Sequence, residues 1–250
     1  MNMIQDNNAA TALPGRRTVL SAAAFAGAAA LFSPGHAFAK HRVKRVVPAL
    51  TFADIPGTGD IKVLNFALSL EDLEADLYAQ ALARLTSGGT NQLGVKIKGL
   101  GVPSSQPDVR FTTEFGKVEV EHRDYLRAAI TAAGGPVIPM FKYNFGMENL
   151  NRKQVDDLLL LAEQTGVHAY LGAIPFFSSS NSPYLQTAAA ILGTEARHTA
   201  VLAALFNVLF RESNEVAPLA SENNGRDTPL PPDTVLAQVS PFIVVGSAFG

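Results

Sequence analysis

Two glutamate–histidine pairs stand three residues apart in this chain, Glu119 with His122 in "VEVEHRDY" and Glu195 with His198 in "AAAILGTEARHTAVL". In a helix that separation puts both side chains on one face about one turn apart, so a pair can address a common centre between helices. Two further segments each offer a glutamate in a matching place, "LEDLEADLY" and "AEQTGVHAY". Glu71 precedes Tyr78 by the same interval at which Glu163 precedes Tyr170, and this alignment favours Glu71 over Glu74 as the inward carboxylate of the first segment. Taken singly, each pair reads as a solvated pair on a helix surface. Asp72, Glu74 and Glu121 read as surface charges, and Tyr78 and Tyr170 as core aromatics with a polar tip.

The conjunction is what carries chemistry. Glu71, Glu119, His122, Glu163, Glu195 and His198 all fall on apolar stripes of successive segments. Four carboxylates gathered in a core would repel one another and lose several kcal/mol of hydration each. Two divalent cations match their four charges, and two neutral imidazoles complete the ligand shells. A carboxylate and imidazole donor set suits iron or manganese, with zinc also compatible. The chain contains no cysteine, which removes thiolate ligands, thiolate nucleophiles and disulfides together.

Four helical segments must hold these groups. The first, 58–85, places Val63, Phe66, Ala67, Leu70, Leu73 or Glu74, and Leu77 at helical spacing and is stopped by "TSGG". The second, 108–135, carries Phe111, Phe115, Val118, His122, Tyr125, Leu126 and Ala129 on one stripe and ends at Gly134-Gly135-Pro136. The third, 151–177, starts with Asn151 as N-cap and is bent or ended by Pro175. The fourth, 182–210, starts with Ser182 as cap and Pro183 at the first helical position. Long connections separate the first three segments, and within the first of them "VKIKGLGV" reads equally as a short strand or an irregular loop. The pattern predicts an all-α four-helix bundle with long connecting loops and a C-terminal extension.

The bundle is expected over residues 58–212, after an N-terminal extension at 40–57 and before a Pro-rich loop and apolar tail at 213–250. The tail packs on the bundle as a short helix or strand, or meets a partner, a second copy of the chain included; the sequence leaves these open. Residues 1–39 combine paired Arg16 and Arg17, an Ala-rich apolar run and the ending Ala37-Phe38-Ala39, and resemble a cleaved twin-arginine export signal, with an ordinary secretory signal or an N-terminal membrane anchor as the alternative. An exported, periplasmic location is therefore expected. After residue 40 no stretch has the unbroken apolar length of a bilayer span. The net charge of −2 gives no footing for nucleic acid.

A single Glu, ExxH, a single Glu and ExxH on successive helices resemble the ferritin-like di-iron and di-manganese carboxylate proteins. More narrowly, "LNFALSLEDLEADLYAQAL", "TGVHAYLGAIPFF" and "AAAILGTEARHTAVL" are similar to an exported ferritin-like family that includes plant desiccation-related proteins. The resemblance implies Glu71, Glu119, Glu163 and Glu195 as carboxylate ligands, His122 and His198 as imidazole ligands, and Glu119 and Glu195 as bridges. The ligand set, rather than the family, leads on to the chemistry: a carboxylate-bridged pair of redox metals suits oxygen, peroxide or metal redox turnover of ferroxidase, peroxidase or catalase type. A non-catalytic stress-protection bundle without metal is the alternative expectation. A storage-cage subunit fits less well, given the long first connection and the apolar tail. Gly166 and Gly172 depart from ordinary helix composition and call for close packing or a kink.

Overall fold

The computed structural model describes residues 50–219 and 223–244. The expected export signal at 1–39, residues 40–49 of the N-terminal extension and the last residues of the tail lie outside them. Four long helices dominate: α1 (Gly59–Leu85), α2 (Pro107–Ala132), α3 (Arg152–Ala173) and α4 (Pro183–Phe210). α1 packs on α2 and α3, and α4 packs on α3 and α2, which is a four-helix bundle. Between α1 and α2 lies a hairpin of β1 (Gly88–Thr90) and β2 (Lys96–Lys98), antiparallel with Gly89 opposite Ile97. The hairpin decides "VKIKGLGV" in favour of a strand. Among the described residues no helix is long and apolar enough to cross a membrane.

Local chemistry sets the helix ends. The Asn151 side chain accepts a hydrogen bond from Gln154 N at 3.0 Å, and Gln154 Oε1 accepts one from Asn151 N at 2.9 Å. This reciprocal pair satisfies two donors that a helix start leaves free. Ser182 Oγ accepts from Tyr184 N at 3.2 Å, with Pro183 opening α4. α3 stops at Ala173, and Pro175 lies in the short 3-10 turn Ile174–Phe176 that follows.

α1 is buried on nearly every side, and this corrects the reading of Asp72 and Glu74 as surface charges. They are 5% and 3% exposed. The α2–α3 connection folds over the face of α1 that carries Asp72 and that periodicity alone would leave to solvent, whereas Glu74 lies on the opposite face and is buried against α3 beside Gly166. Asn65 Nδ2 donates to Pro136 O at 2.7 Å, Ile138 N donates to Asn65 Oδ1 at 2.7 Å, and Gln80 Nε2 donates to Tyr143 O at 3.4 Å. Asp72 is compensated by Arg127, whose Nη2 lies 2.9 Å from its Oδ2. Glu121 is exposed, as expected. Tyr125, read as part of the inward stripe, is instead 52% exposed, its hydroxyl 3.2 Å from that of Thr187 on α4. It sits beside the buried Leu126, at the edge of the stripe rather than on it.

The tail docks on its own bundle. Helix α5 (Pro232–Val239) packs against α3, and Leu230 N donates to His168 O at 3.0 Å. A Cβ on Gly172 would lie 1.7 Å from Leu230 O, so only glycine lets the tail backbone approach α3 this closely. Of the open alternatives, the short helix is the one adopted.

Asp156 on α3 is fully buried, and neither of its carboxylate oxygens has a hydrogen-bond partner. Burial first, and the adjacent Asp108 carboxylate second, push its pKa up to about 8. In the unfolded chain an aspartate titrates near about 3.9. The native state therefore holds a proton that the unfolded state releases, and stability falls as pH rises from about 4 to about 8. Asp156→Asn, which cannot ionise, is expected to gain on the wild type by up to a few kcal/mol across that window. Thermal melts of the two metal-free proteins at a series of pH values test this, and a difference that does not widen with pH would rule it out.

Candidate metal centre

Each helix of the bundle contributes from its inward stripe at mid-length. α1 supplies Glu71, α2 Glu119 and His122, α3 Glu163, and α4 Glu195 and His198. All four glutamates are 0% exposed and His198 is 4% exposed. The His122 side chain, 13% exposed, is the most accessible of the six. The structure brings them together in two overlapping clusters: Glu71, Glu119, His122 and Glu195, then Glu119, Glu163, Glu195 and His198. Within each cluster one ligand atom per residue lies within 4.8 Å of every other. Glu119 and Glu195 belong to both, and Glu71 rather than Glu74 is the α1 member.

Glu119 presents one oxygen to each imidazole. Its Oε2 is 3.0 Å from His122 Nδ1, and its Oε1 is 2.9 Å from His198 Nδ1. His122 Nδ1 also lies 3.3 Å from Glu195 Oε1 and 3.4 Å from Glu71 Oε2, and His198 Nδ1 lies 3.3 Å from Glu163 Oε2. Proximity here is not hydrogen bonding throughout: His198 Nδ1 and Glu119 Oε1 are close but lack bonding alignment, and neither has another partner. Glu71 Oε2, Glu163 Oε2 and both oxygens of Glu195 are likewise buried without a partner. Unsatisfied buried acceptors are destabilising by about 1–3 kcal/mol each, more when charged. So many orphaned lone pairs converging on one small volume fit a set of donors for cations.

The electrostatics carry the same message. Burial is the chief cause that lifts the Glu74, Glu163 and Glu195 carboxyls well above the usual range, reinforced by the neighbouring carboxylates. Burial likewise leads in pushing Glu71 up to about 8, partly opposed by His122. Glu119 is the exception: burial would raise it, but the imidazoles of His122 and His198 hold it below its ordinary value. His122 is pushed up to about 12, because contacts with Glu119, Glu195 and Glu71 outweigh the burial that would lower it. Without added positive charge, then, protons take the place of cations in this core.

Three features escape the spacing argument. Tyr170 Oη donates to Glu71 Oε1 at 2.5 Å, and Tyr78 Oη donates to Glu163 Oε1. Each tyrosine thus holds the glutamate of the other helix, which requires α1 and α3 to run antiparallel. The equal Glu-to-Tyr intervals were the available signal, although sequence could not show that the pairing crosses between helices. Phe115 stacks on His198, with centroids 3.9 Å apart and planes at 17°, and so fixes the ring plane. Gly166, one turn after Glu163, is explained by close packing, because a Cβ there would lie 3.2 Å from Glu195 Oε2 and 3.4 Å from Glu74 Oε1.

A comparison with protein families matches the ferritin-like domain over residues 59–208, the span that contains all six residues. The chain belongs to the ferritin-like domain family. A comparison with curated proteins gave no match. Fold, family and donor set together fit a metal-binding ferritin-like protein.

Proposed function

We propose that this ferritin-like chain is exported and holds two divalent ions, iron or manganese, at a carboxylate-bridged centre that acts on dioxygen, peroxide or the metal itself in oxidative or desiccation stress. The observation that carries the reading is the pair of overlapping clusters sharing Glu119 and Glu195, with their orphaned oxygens. Glu71, Glu119, His122 and Glu195 would hold one ion, and Glu119, Glu163, Glu195 and His198 the other. A redox-active pair of ions supplies the electrons that reduction of dioxygen or peroxide consumes. The chain's own residues supply the setting. The tyrosines orient the terminal carboxylates Glu71 and Glu163, and Phe115 keeps the His198 ring in place. The fully buried glutamates exclude bulk water, which strengthens electrostatic interactions within the core.

The test is elemental analysis of the protein folded in cells supplied with both iron and manganese, followed by a hydrogen peroxide consumption assay. About two ions per chain and metal-dependent peroxide loss are expected, in line with carboxylate-bridged bundle sites. A metal-free product from such cells would overturn the reading, and bound metal without peroxide or dioxygen chemistry would restrict it to binding. Export is supported by Arg16 and Arg17 ahead of the Ala-rich run; recovery of the chain only from the cytoplasm would remove that part.

A further inference from the structure

Glu74 belongs to neither cluster, yet it stands at the same interval after Glu71 that each histidine keeps from its own glutamate. Its counterpart on α3, the other single-glutamate helix, is Gly166, one turn after Glu163. The two positions meet: Glu74 Oε1 lies 3.4 Å from where a Cβ on Gly166 would be, and Glu195 Oε2 lies 3.2 Å from the same point. The missing side chain leaves a notch, and two carboxylates face it. Glu195 Oε2 has no hydrogen-bond partner and is fully buried. Glu74 and Gly166 also line a cavity with Leu77, Phe145, Leu161 and Phe242, and among the described residues Glu74 is the one charged group lining it.

We propose that Glu74 is a seventh carboxylate of the metal centre, directed at it through the Gly166 notch beside Glu195 Oε2. This rests on the metal centre proposed above and goes beyond its six residues. The consequence is asymmetry. Helices α1 and α3 otherwise match, in Glu71 with Tyr78 and Glu163 with Tyr170, and Glu74 supplies a negative group on one side for which Gly166 has no equivalent. The two ion positions therefore differ in affinity.

Anaerobic titration of the metal-free full chain with Mn(II), reading the free ion by its electron paramagnetic resonance signal, tests the proposal on wild type, Glu74→Gln, Glu74→Asp and Gly166→Ala. The amide is nearly isosteric with the carboxyl, and melts of the metal-free proteins establish that each variant is folded. In Glu74→Gln one of two ions is expected to weaken by about 10- to 100-fold, the range seen when groups supporting a metal are removed, while the other is retained. Glu74→Asp, which keeps the charge, recovers part of the loss. In Gly166→Ala the added methyl presses on both carboxylates and weakens the same ion. Two ions bound by Glu74→Gln with unchanged affinities overturn the proposal while the six-residue centre stands. If that variant does not fold, unchanged binding in Gly166→Ala and Glu74→Asp overturns it instead. A wild type that binds no Mn(II) and no Fe(II) overturns the centre itself.

Discussion

If the proposed two-ion centre holds, Glu119→Ala should empty both of its positions at once. Glu119 is the residue whose two oxygens face the two imidazoles, at 3.0 Å from His122 Nδ1 and 2.9 Å from His198 Nδ1, and it is shared by both clusters. Removing it withdraws a donor from each ion and the carboxylate nearest to each histidine. A terminal carboxylate such as Glu163 belongs to a single cluster, so its loss acts first on one ion. Glu121, two residues further on and exposed, provides the control: Glu121→Ala should keep its full metal content. Elemental analysis of the wild type and both variants decides the matter, with Glu119→Gln as a second variant that preserves volume. Undiminished metal in Glu119→Ala and Glu119→Gln would show that the centre is not built around this residue.

Stripping the metal is expected to lower the melting temperature by more than about 10 °C. An ion present at about 1,000 times its Kd stabilises the folded state by about 4 kcal/mol. A domain of this size shifts by about 2–4 °C per kcal/mol. Two ions exceed that threshold comfortably, although the metal-free bundle should still fold, because its carboxyls can retain protons in the absence of cations. Differential scanning calorimetry with and without chelator reads the effect, and adding back Fe(II) or Mn(II) should reverse it. A bundle that protects by structure alone would melt at the same temperature in both conditions, and that result would favour the metal-free alternative.

The tyrosine contacts show why the site is more than its six donors. Glu71 and Glu163 occupy equivalent places, and each is held by a tyrosine from the opposite helix. A donor that uses one oxygen of a terminal carboxylate leaves the other, Oε2 in both cases, facing the centre without a partner. Orientation is thus built into the protein before any ion arrives, as preorganised metal sites require.

Much of the bundle could be read from the chain because helical periodicity is a local property. An interval of three places Glu119 with His122, and Glu195 with His198, on one face whatever the rest of the molecule does. The caps at Asn151 and Ser182 and the stop before Pro175 are local for the same reason. Which face of a helix ends up without solvent is not local. Asp72 looked like a surface charge because a bundle helix normally keeps a wet side, and the α2–α3 connection covers that side of α1 through contacts with Asn65 and Gln80; Glu74, on the opposite face, is buried instead against α3, where Gly166 has no side chain to keep it out. Neighbours across helices depend on rotation and offset, so the crossed tyrosine pairs, the notch at Gly166 and the docking of Leu230 on Gly172 follow from packing and not from spacing. The order of residues along the chain chose the donors and their faces; the close packing of four helices and a covering loop chose which carboxylates share one dry volume, where burial makes their charge matter most.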